Sequence, residues 1–373
     1  MLIIITLSVI FGITSYVFVR GWQAFPPNIW IRIIYCLVHF LSFACFFLRM
    51  YYGDKLSGNI SVLLSAVGFT WLIAVIYFAL YALSIDMIRL ANHFFHFYPD
   101  FIQSNYQKVK LSLVIFGVSA ISLILLYGYH KFNNPKVNRV EVTLEGPLQN
   151  KEIKIVMASD LHLSSYINRA ELKKYIALIN SQNPDIVFLV GDIVDRSVAP
   201  LVNGHMSEVL SSIKSKYGVY AVSGNHEFYG GEREKIYDYI KSSGINFLKD
   251  STVLAADSSL YIIGRDDRTN RKRVPLSDLV KGLDRDIPKI LLDHQPFNLD
   301  EAQQNGIDLQ LSGHTHNGQF WPGNLIVSWM FELPYGYVKK GNTHYYVSSG
   351  IGLWGPKYRI GTESEIVLLN LKY

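Results

Sequence analysis

Cysteine is nearly missing from this chain. There are two in 373 residues, Cys36 and Cys45, both inside an apolar stretch. The polar part of the chain therefore holds no disulfide framework and no thiolate metal site. The compartment stays open, because a cysteine-free domain serves in either redox environment. A strong charge of one sign is missing too. Thirty-five Lys and Arg against 30 Asp and Glu leave a formal charge of +5, spread along the chain. That mild excess suits an anionic membrane surface or an anionic substrate, and no nucleic-acid partner is expected. No internal repeat or low-complexity segment stands out.

Long apolar runs are present, and only in the first third. Crossing a bilayer as a helix takes about 20 apolar residues. Residues 2–19, 33–48, 60–85 and 111–129 approach or exceed that length. Arg32, at the edge of the second run, has to snorkel. The first run lacks a basic leading segment and a small-residue cleavage site, so it reads as retained. None of the four shows the polar face of a helix in a water-soluble bundle. The spans hold no interior acidic residue and no paired charges, which argues against an ion or proton pathway.

Four spans put both chain ends on one side. Arg49, Lys55, Lys131, Lys136 and Arg139 fall on the side of the following domain. Arg20, Arg32, Arg89, Lys108 and Lys110 fall on the other. Arg20 and Arg32 flank the short first loop and place it in the cytoplasm, which puts the domain outside. Residues 85–110, with Phe94, Phe95, Phe97, Tyr98 and Phe101, read as an interfacial helix. His93 and His96 there read as headgroup-level polar groups, not metal ligands.

The expected organisation is a transmembrane region over 1–130, a linker and first strand over 131–150, and an α/β domain over 151–373. Residues 131–146, with Asn133-Asn134-Pro135, read as polar linker. Strands are then expected at 153–158, 185–190, 219–223, 259–263, 290–293, 309–312, 343–348 and 365–371. Helices are expected at 169–181, 205–216 and 232–243. This alternation fits an α/β sandwich with helices flanking the sheets.

Short polar motifs sit at the ends of these strands. In order they are Asp160-Leu161-His162, Gly191-Asp192, Gly224-Asn225-His226-Glu227, His294 and Gly313-His314-Thr315-His316. Side chains just past strand C-termini converge on one crevice in an α/β fold. Asp160 with His162, and His314 with His316, alternate by two and point the same way from extended backbone. The glycines allow sharp turns and close backbone approach. Imidazole and carboxylate donors without sulfur suit Mn, Fe, Zn or Co rather than Ca, Cu or iron–sulfur centres. Singly these motifs are weak, because Gly-Asp is also a common turn pair. Their ordered set carries the reading.

Over residues 150–373 that set resembles the calcineurin-like metallophosphoesterases, most of all a bacterial membrane-associated branch. The resemblance implies a four-layer α/β sandwich and two divalent transition-metal ions. By motif, Asp160, His162 and His316 would hold one ion, Asn225, His294 and His314 the other, and Asp192 would bridge them. His226 would stay off the metals, stabilise the phosphoryl oxygens and protonate the leaving group, with Asp195 behind it. The attacking group would be a metal-bridging hydroxide, formed because two cations about 3.5–4 Å apart lower the pKa of a shared water towards ~7. One departure is Asp293, where a small or neutral residue is more usual.

The expected function is hydrolysis of a phosphate ester or pyrophosphate, lipid-linked or belonging to the cell envelope. Arg265, Arg268, Arg271, Lys272 and Arg273 crowd one segment; Arg265, Arg271, Lys272 and Arg273 are candidate phosphate- or headgroup-binding residues. Phe320, Trp321, Trp329, Phe331, Tyr335 and Tyr337 follow the last His pair in Gly- and Pro-containing loops suited to touching lipid. The competing expectation is a membrane transport or regulatory protein whose phosphoesterase domain binds a ligand without turning it over.

Overall fold

The computed structural model describes residues 2–53, 56, 58–144 and 151–373. Lys55 and residues 145–150, used above for topology and linker, lie outside the described residues. The chain divides into two compact units, residues 1–127 and 128–373.

The first unit is helical: α1 (Leu2–Ala24), α2 (Ile29–Tyr52), α3 (Gly58–Phe95), α4 (Asp100–Ser104) and the start of α5 (Tyr106–Asn133). Four of these, α1, α2, α3 and α5, are long and apolar enough to cross a membrane. Close contact between α2 and α3 depends on Gly68, where a Cβ would lie 2.5 Å from the Phe46 Cα. Two expectations change here. Residues 85–95 form no separate interfacial helix; α3 runs on to Phe95 before the chain breaks at His96–Pro99. Paired charges also exist: Asp86 meets Arg20 at 2.5 Å and accepts from the Tyr16 hydroxyl at 2.7 Å. Both charged residues lie one position beyond their apolar runs, so run-counting left them out although the helices continue through them.

The second unit holds two six-stranded sheets. The first runs β1 (Lys136–Thr143), β12 (Glu365–Lys372), β2 (Glu152–Ala158), β3 (Ile186–Val190), β4 (Val219–Val222) and β5 (Asn246–Phe247). The second runs β10 (Gly336–Lys340), β11 (Thr343–Val347), β9 (Leu309–Ser312), β8 (Lys289–Leu292), β7 (Leu260–Gly264) and β6 (Ser251–Ala255). Strand alternation builds the layers. From β2, Ile153, Ile155 and Met157 enter a core shared with Leu260, Ile262, Ile290, Leu292, Leu309 and Leu311 of the other sheet. Its other face sends Val156 and Ala158 into a core with Leu172, Ile176 and Ile179 of α6 (Arg169–Ser181) and Ile236 and Ile240 of α10 (Arg233–Ser242). On the far side of the second sheet, Ile263 and Leu291 meet Leu276 of α11 (Leu276–Leu279) and Leu299 and Ala302 of α12 (Leu299–Gln304). Helix, sheet, sheet and helix are the four layers.

Local chemistry explains the boundaries. α6 starts where Asn168 and Glu171 form a capping box. The helix expected over 205–216 is only α8 (Met206–Leu210), after the short α7 (Ala199–Asn203). The Ser211 and Ser212 hydroxyls donate to the Ser207 and Val209 carbonyls at 2.6 Å, serine bonding that competes with further helix.

The stretch read as linker is folded. Residues 131–133 end α5, and Lys136–Thr143 forms β1, paired in parallel with β12 from Lys136↔Glu365 to Thr143↔Lys372. Phe132 is buried in the helix-side core. The first strand expected within 131–150 is β1, longer than the linker reading allowed. Short, polar edge strands hid β5, β6 and β10 from pattern reading, because few of their residues face a core.

Candidate metal centre

β2, β3 and β4 run parallel, and so do β8 and β9, so their C-terminal ends collect at one edge of the two sheets. Asp160, Asp192 and Asn225 follow the first three strands. His294 follows β8, and His314 and His316 follow β9. Four of these residues, Asp160, Asp192, His314 and His316, together with His162, have left-handed backbone with φ between 48° and 72°, not the extended backbone expected for the two alternating pairs. Non-glycine residues seldom adopt it, and such strain gathers at functional sites. Two motif glycines permit the approach. A Cβ on Gly224 would sit 2.2 Å from Asp192 Oδ1, and one on Gly313 would sit 2.4 Å from Asp160 Oδ2.

Two groups of donors form. Asp160, His162 and His316 make one, and Asp192, His294 and His314 the other. In the first, His162 Nε2 and His316 Nε2 face each other at 3.2 Å, and Asp160 Oδ1 lies 3.9 and 3.5 Å from them. In the second, Asp192 Oδ2 is 3.2 Å from His294 Nε2; it is also 3.7 Å from His162 Nε2 of the first group. One carboxylate oxygen thus lies between the two groups. Asn225 joins the second through Oδ1, 2.8 Å from His314 Nδ1. Its orientation is set by its Nδ2, which donates to the Tyr229 hydroxyl at 3.0 Å. A further grouping of His162, Asp195 and His226 exists. There, however, Asp195 Oδ1 already holds His226 Nδ1 at 2.6 Å, so His226 is engaged with Asp195.

The donor chemistry fits divalent transition metals. Burial pushes the His162 and His316 imidazoles well below their ordinary pKa, helped by His226 beside the first and Arg359 beside the second. Burial and the charge of His294 bring His314 down to about 4. All three rings are therefore neutral, the form that ligates metals. At most one proton fits between the two facing Nε2 atoms, so lone pairs converge there. Burial raises the Asp160 carboxyl, and the charge of His294 offsets this only in part. Burial pulls His294 down, but the charges of Asp192 and Asp160 outweigh it and hold this imidazole well above its ordinary pKa. A metal cation beside the two carboxylates would take the place of that proton. His294 Nδ1 donates to the Val190 carbonyl at 2.8 Å, which turns Nε2 towards Asp192.

Asp293 does not redirect His294. Its carboxylate turns the other way, to Arg265 at 3.3 Å and Arg273 at 3.1 Å. Arg265 and Arg273, expected to bind substrate, thus have Asp293 as a partner within the fold. Arg265 is buried and also pairs with Glu301 at 2.9 Å, so both guanidinium groups are committed to carboxylates. Arg268 lies over the Phe297 ring at 4.2 Å. Arg271 and Lys272 are exposed.

Three residues around the centre carry little or no signal in the sequence. Glu227 closes the Gly224-Asn225-His226-Glu227 motif. Its buried carboxyl accepts from the Val194 N–H at 2.9 Å and the Gly224 N–H at 2.7 Å, bracing the loops that carry Asp192 and Asn225. Burial and the charge of Asp192 raise it to about 8. Arg359, fully buried, donates to the carbonyls of His316, Ser349, Gly350 and Gly352 at 2.6–3.0 Å. Trp354 is exposed, with its ring 6.3 Å from that of His226. Only the spacing of Glu227 after Gly224 was a sequence signal; a lone Arg or Trp carries none.

The family model for calcineurin-like phosphoesterases matches residues 153–318. An uncharacterized metallophosphoesterase of Campylobacter jejuni is 35% identical over 268 residues, covering 69% of this chain and 70% of its own. The chain belongs to the calcineurin-like phosphoesterase family. Another family member, an uncharacterized metallophosphoesterase of Helicobacter pylori, is 30% identical over 330 residues, covering 86% of this chain and 85% of its own. A Danio rerio transmembrane protein with metallophosphoesterase domain is 32% identical over 284 residues, covering 72% of this chain and 63% of its own. In this chain too, the calcineurin-like phosphoesterase domain accompanies apolar helices long enough to cross a membrane.

Proposed function

We propose that the protein is a membrane-anchored, metal-dependent phosphohydrolase acting on a phosphate ester or pyrophosphate of a lipid-linked or envelope substrate. The observation that carries this is Asp192 Oδ2, set between His294 Nε2 at 3.2 Å and His162 Nε2 at 3.7 Å. Asp160, His162 and His316 would hold one divalent ion, and Asn225, His294 and His314 the other, with Asp192 shared. Mn, Fe, Zn or Co suits these donors. When bound, two such ions supply an activated water and take up charge on the phosphoryl oxygens.

The chain's own residues do the rest. Asp192 Oδ1 accepts the His226 backbone N–H at 2.8 Å, which seats His226 beside the shared carboxylate. Asp195 takes His226 Nδ1 and leaves Nε2 to deliver a proton to the departing oxygen. Burial draws the His226 pKa down, but the bond to Asp195 and the charges of Asp192 and Asp195 outweigh it, and the net shift is upward. Trp354 and Tyr229, whose rings lie 6.3 and 5.0 Å from that of His226, offer apolar walls to the leaving group. The domain is read as lying outside the cytoplasm, on the strength of Arg20 and Arg32 around the first loop.

The test is metal-dependent turnover of bis(p-nitrophenyl) phosphate and of vesicle-borne lipid phosphates by the purified full chain. Bound metal and bound ligand with no turnover would favour the regulatory alternative. The side is tested separately. With Cys36 and Cys45 replaced by Ser, an introduced Lys241→Cys on α10 should react with a membrane-impermeant maleimide on intact spheroplasts. Reaction only after lysis would place the domain in the cytoplasm.

A further inference from the structure

Among the described residues of the second unit, α13 (Gly323–Met330) shows water a large continuous apolar face. Leu325 and Ile326 are each 59% exposed, Trp329 88% and Met330 56%. These positions recur at i, i+1, i+4 and i+5, one side of the helix. The helix sequence, GNLIVSWM, contains no charged residue. A surface helix of a soluble domain turns such a face inward. Here it is turned outward.

Two sets of contacts within the unit locate this face. The first leads to the metal centre. His316–Gly318 forms a left-handed turn shortly before α13. The turn and the helix touch so closely that a Cβ on Gly318 would fall 2.2 Å from the Asn324 nitrogen. The second leads to the point where the chain leaves its last apolar span. Gly128, near the end of α5, accepts from the Arg359 N–H at 2.9 Å, and a Cβ on it would lie 2.6 Å from Ile360 Cγ1. Ile360 in turn accepts from the Trp321 N–H at 2.7 Å, two residues before α13. A two-residue segment, Arg359–Ile360, therefore joins the membrane exit to the approach of α13. Exposed Tyr129, one residue further along α5, is of the type that sits at headgroup level.

We propose that α13 lies in the lipid interface, with Leu325, Ile326, Trp329 and Met330 among the acyl chains, and that this seats the His316 side of the metal centre against the bilayer. An uncharged helix carrying Trp at the exit of a membrane span has the composition of an interfacial element. The occupant is lipid because Trp321 and Arg359–Ile360 tie the approach of α13 to the end of a helix long and apolar enough to cross a membrane. The consequence, that the site takes amphiphilic phosphates from the membrane plane, rests on the phosphohydrolase reading above. The contact itself does not.

The experiment reads the two separately. The full chain, with Cys36→Ser and Cys45→Ser, is given a single Ile326→Cys or, as reference, Lys241→Cys, and labelled with an environment-sensitive nitrobenzoxadiazole dye. It is reconstituted in vesicles of phosphatidylcholine and phosphatidylglycerol at about 3:1. The Ile326→Cys label should shift to the blue and lose about half of its emission or more when part of the phosphatidylcholine carries a shallow doxyl quencher. The Lys241→Cys label should do neither. Equal behaviour at both positions overturns the proposal. So does a blue shift without lipid quenching, which would mark a contact with a second protein copy. In the same vesicles Ile326→Glu with Trp329→Glu should cut turnover of a lipid phosphate about tenfold and leave bis(p-nitrophenyl) phosphate within about twofold. Equal loss on both substrates overturns the substrate consequence. Quenching with no hydrolysis of any substrate would uphold the contact and refute the enzyme reading alone.

Discussion

In the proposed phosphohydrolase, individual side chains would divide the work between holding ions and moving protons. Asp192 faces both donor groups, so Asp192→Asn should abolish nearly all hydrolysis and weaken both ions, seen as less than two metals per chain by elemental analysis. A variant that keeps two ions and full rate would remove the shared-carboxylate assignment. His226 belongs to neither group; Asp195 holds it. His226→Ala should therefore keep both ions and lose about 10²–10⁴-fold in kcat. The loss should be smallest for p-nitrophenol esters, whose leaving group needs little protonation. Metal loss in His226→Ala would reassign the residue as a ligand. These roles follow from residue types already legible in the motifs. Glu227 and Arg359 were not legible, because their importance lies in which backbone groups they reach.

Among the elements, the loops after β9 and β11 are tied together by Arg359. Its guanidinium serves the His316 carbonyl and the carbonyls of Ser349, Gly350 and Gly352, while burial lowers its pKa to about 10. Arg359→Met should leave those carbonyls unpaired and destabilise the domain by about 3 kcal/mol or more. Denaturant unfolding checks this, and metal affinity should fall in parallel because the His316 turn loosens. The end of α5 is a second fixed point. Phe132 is 1% exposed in the helix-side core, so Phe132→Ala should cost about 3–5 kcal/mol. A change of less than about 1 kcal/mol would mean the segment behaves as the polar linker its composition suggested.

For the whole molecule, the proposed ions would link metal to fold. They would bind the folded state and not the unfolded one, so a chelator should lower Tm. If ions are present at about 1,000 times Kd, the stabilisation is about 4.1 kcal/mol. For a domain of this size that corresponds to a shift on the order of 10 °C. Manganese or zinc added back should restore it, and an unchanged Tm would show that the site is empty or weak. The phosphoesterase unit begins at residue 128, within α5. Truncation at residue 140 would remove Phe132 and part of β1, and with them partners of the helix-side core and of β12.

Sequence alone determined the apolar spans, the α/β alternation and the order of the metal-ligand motifs. Each depends on local quantities: run length, periodicity, and residue type at a strand end. The Asp160, Asp192, Asn225, His294, His314 and His316 positions were legible because parallel strands deliver their C-terminal ends to one place. Tertiary structure alone decided what depends on partners distant in the chain. That Arg265 and Arg273 pair with Asp293, 28 and 20 residues away, could not be read from their charges. Residues 136–143, inside the stretch with linker composition, became a full strand only because β12 supplied the partner, 229 residues away at Lys136↔Glu365. The aromatics after His316 looked like loop residues; the fold puts Trp329 on α13, on an exposed apolar face with Leu325, Ile326 and Met330. A charge or an apolar side chain has no meaning for function until its neighbour is known, and those neighbours come from the fold.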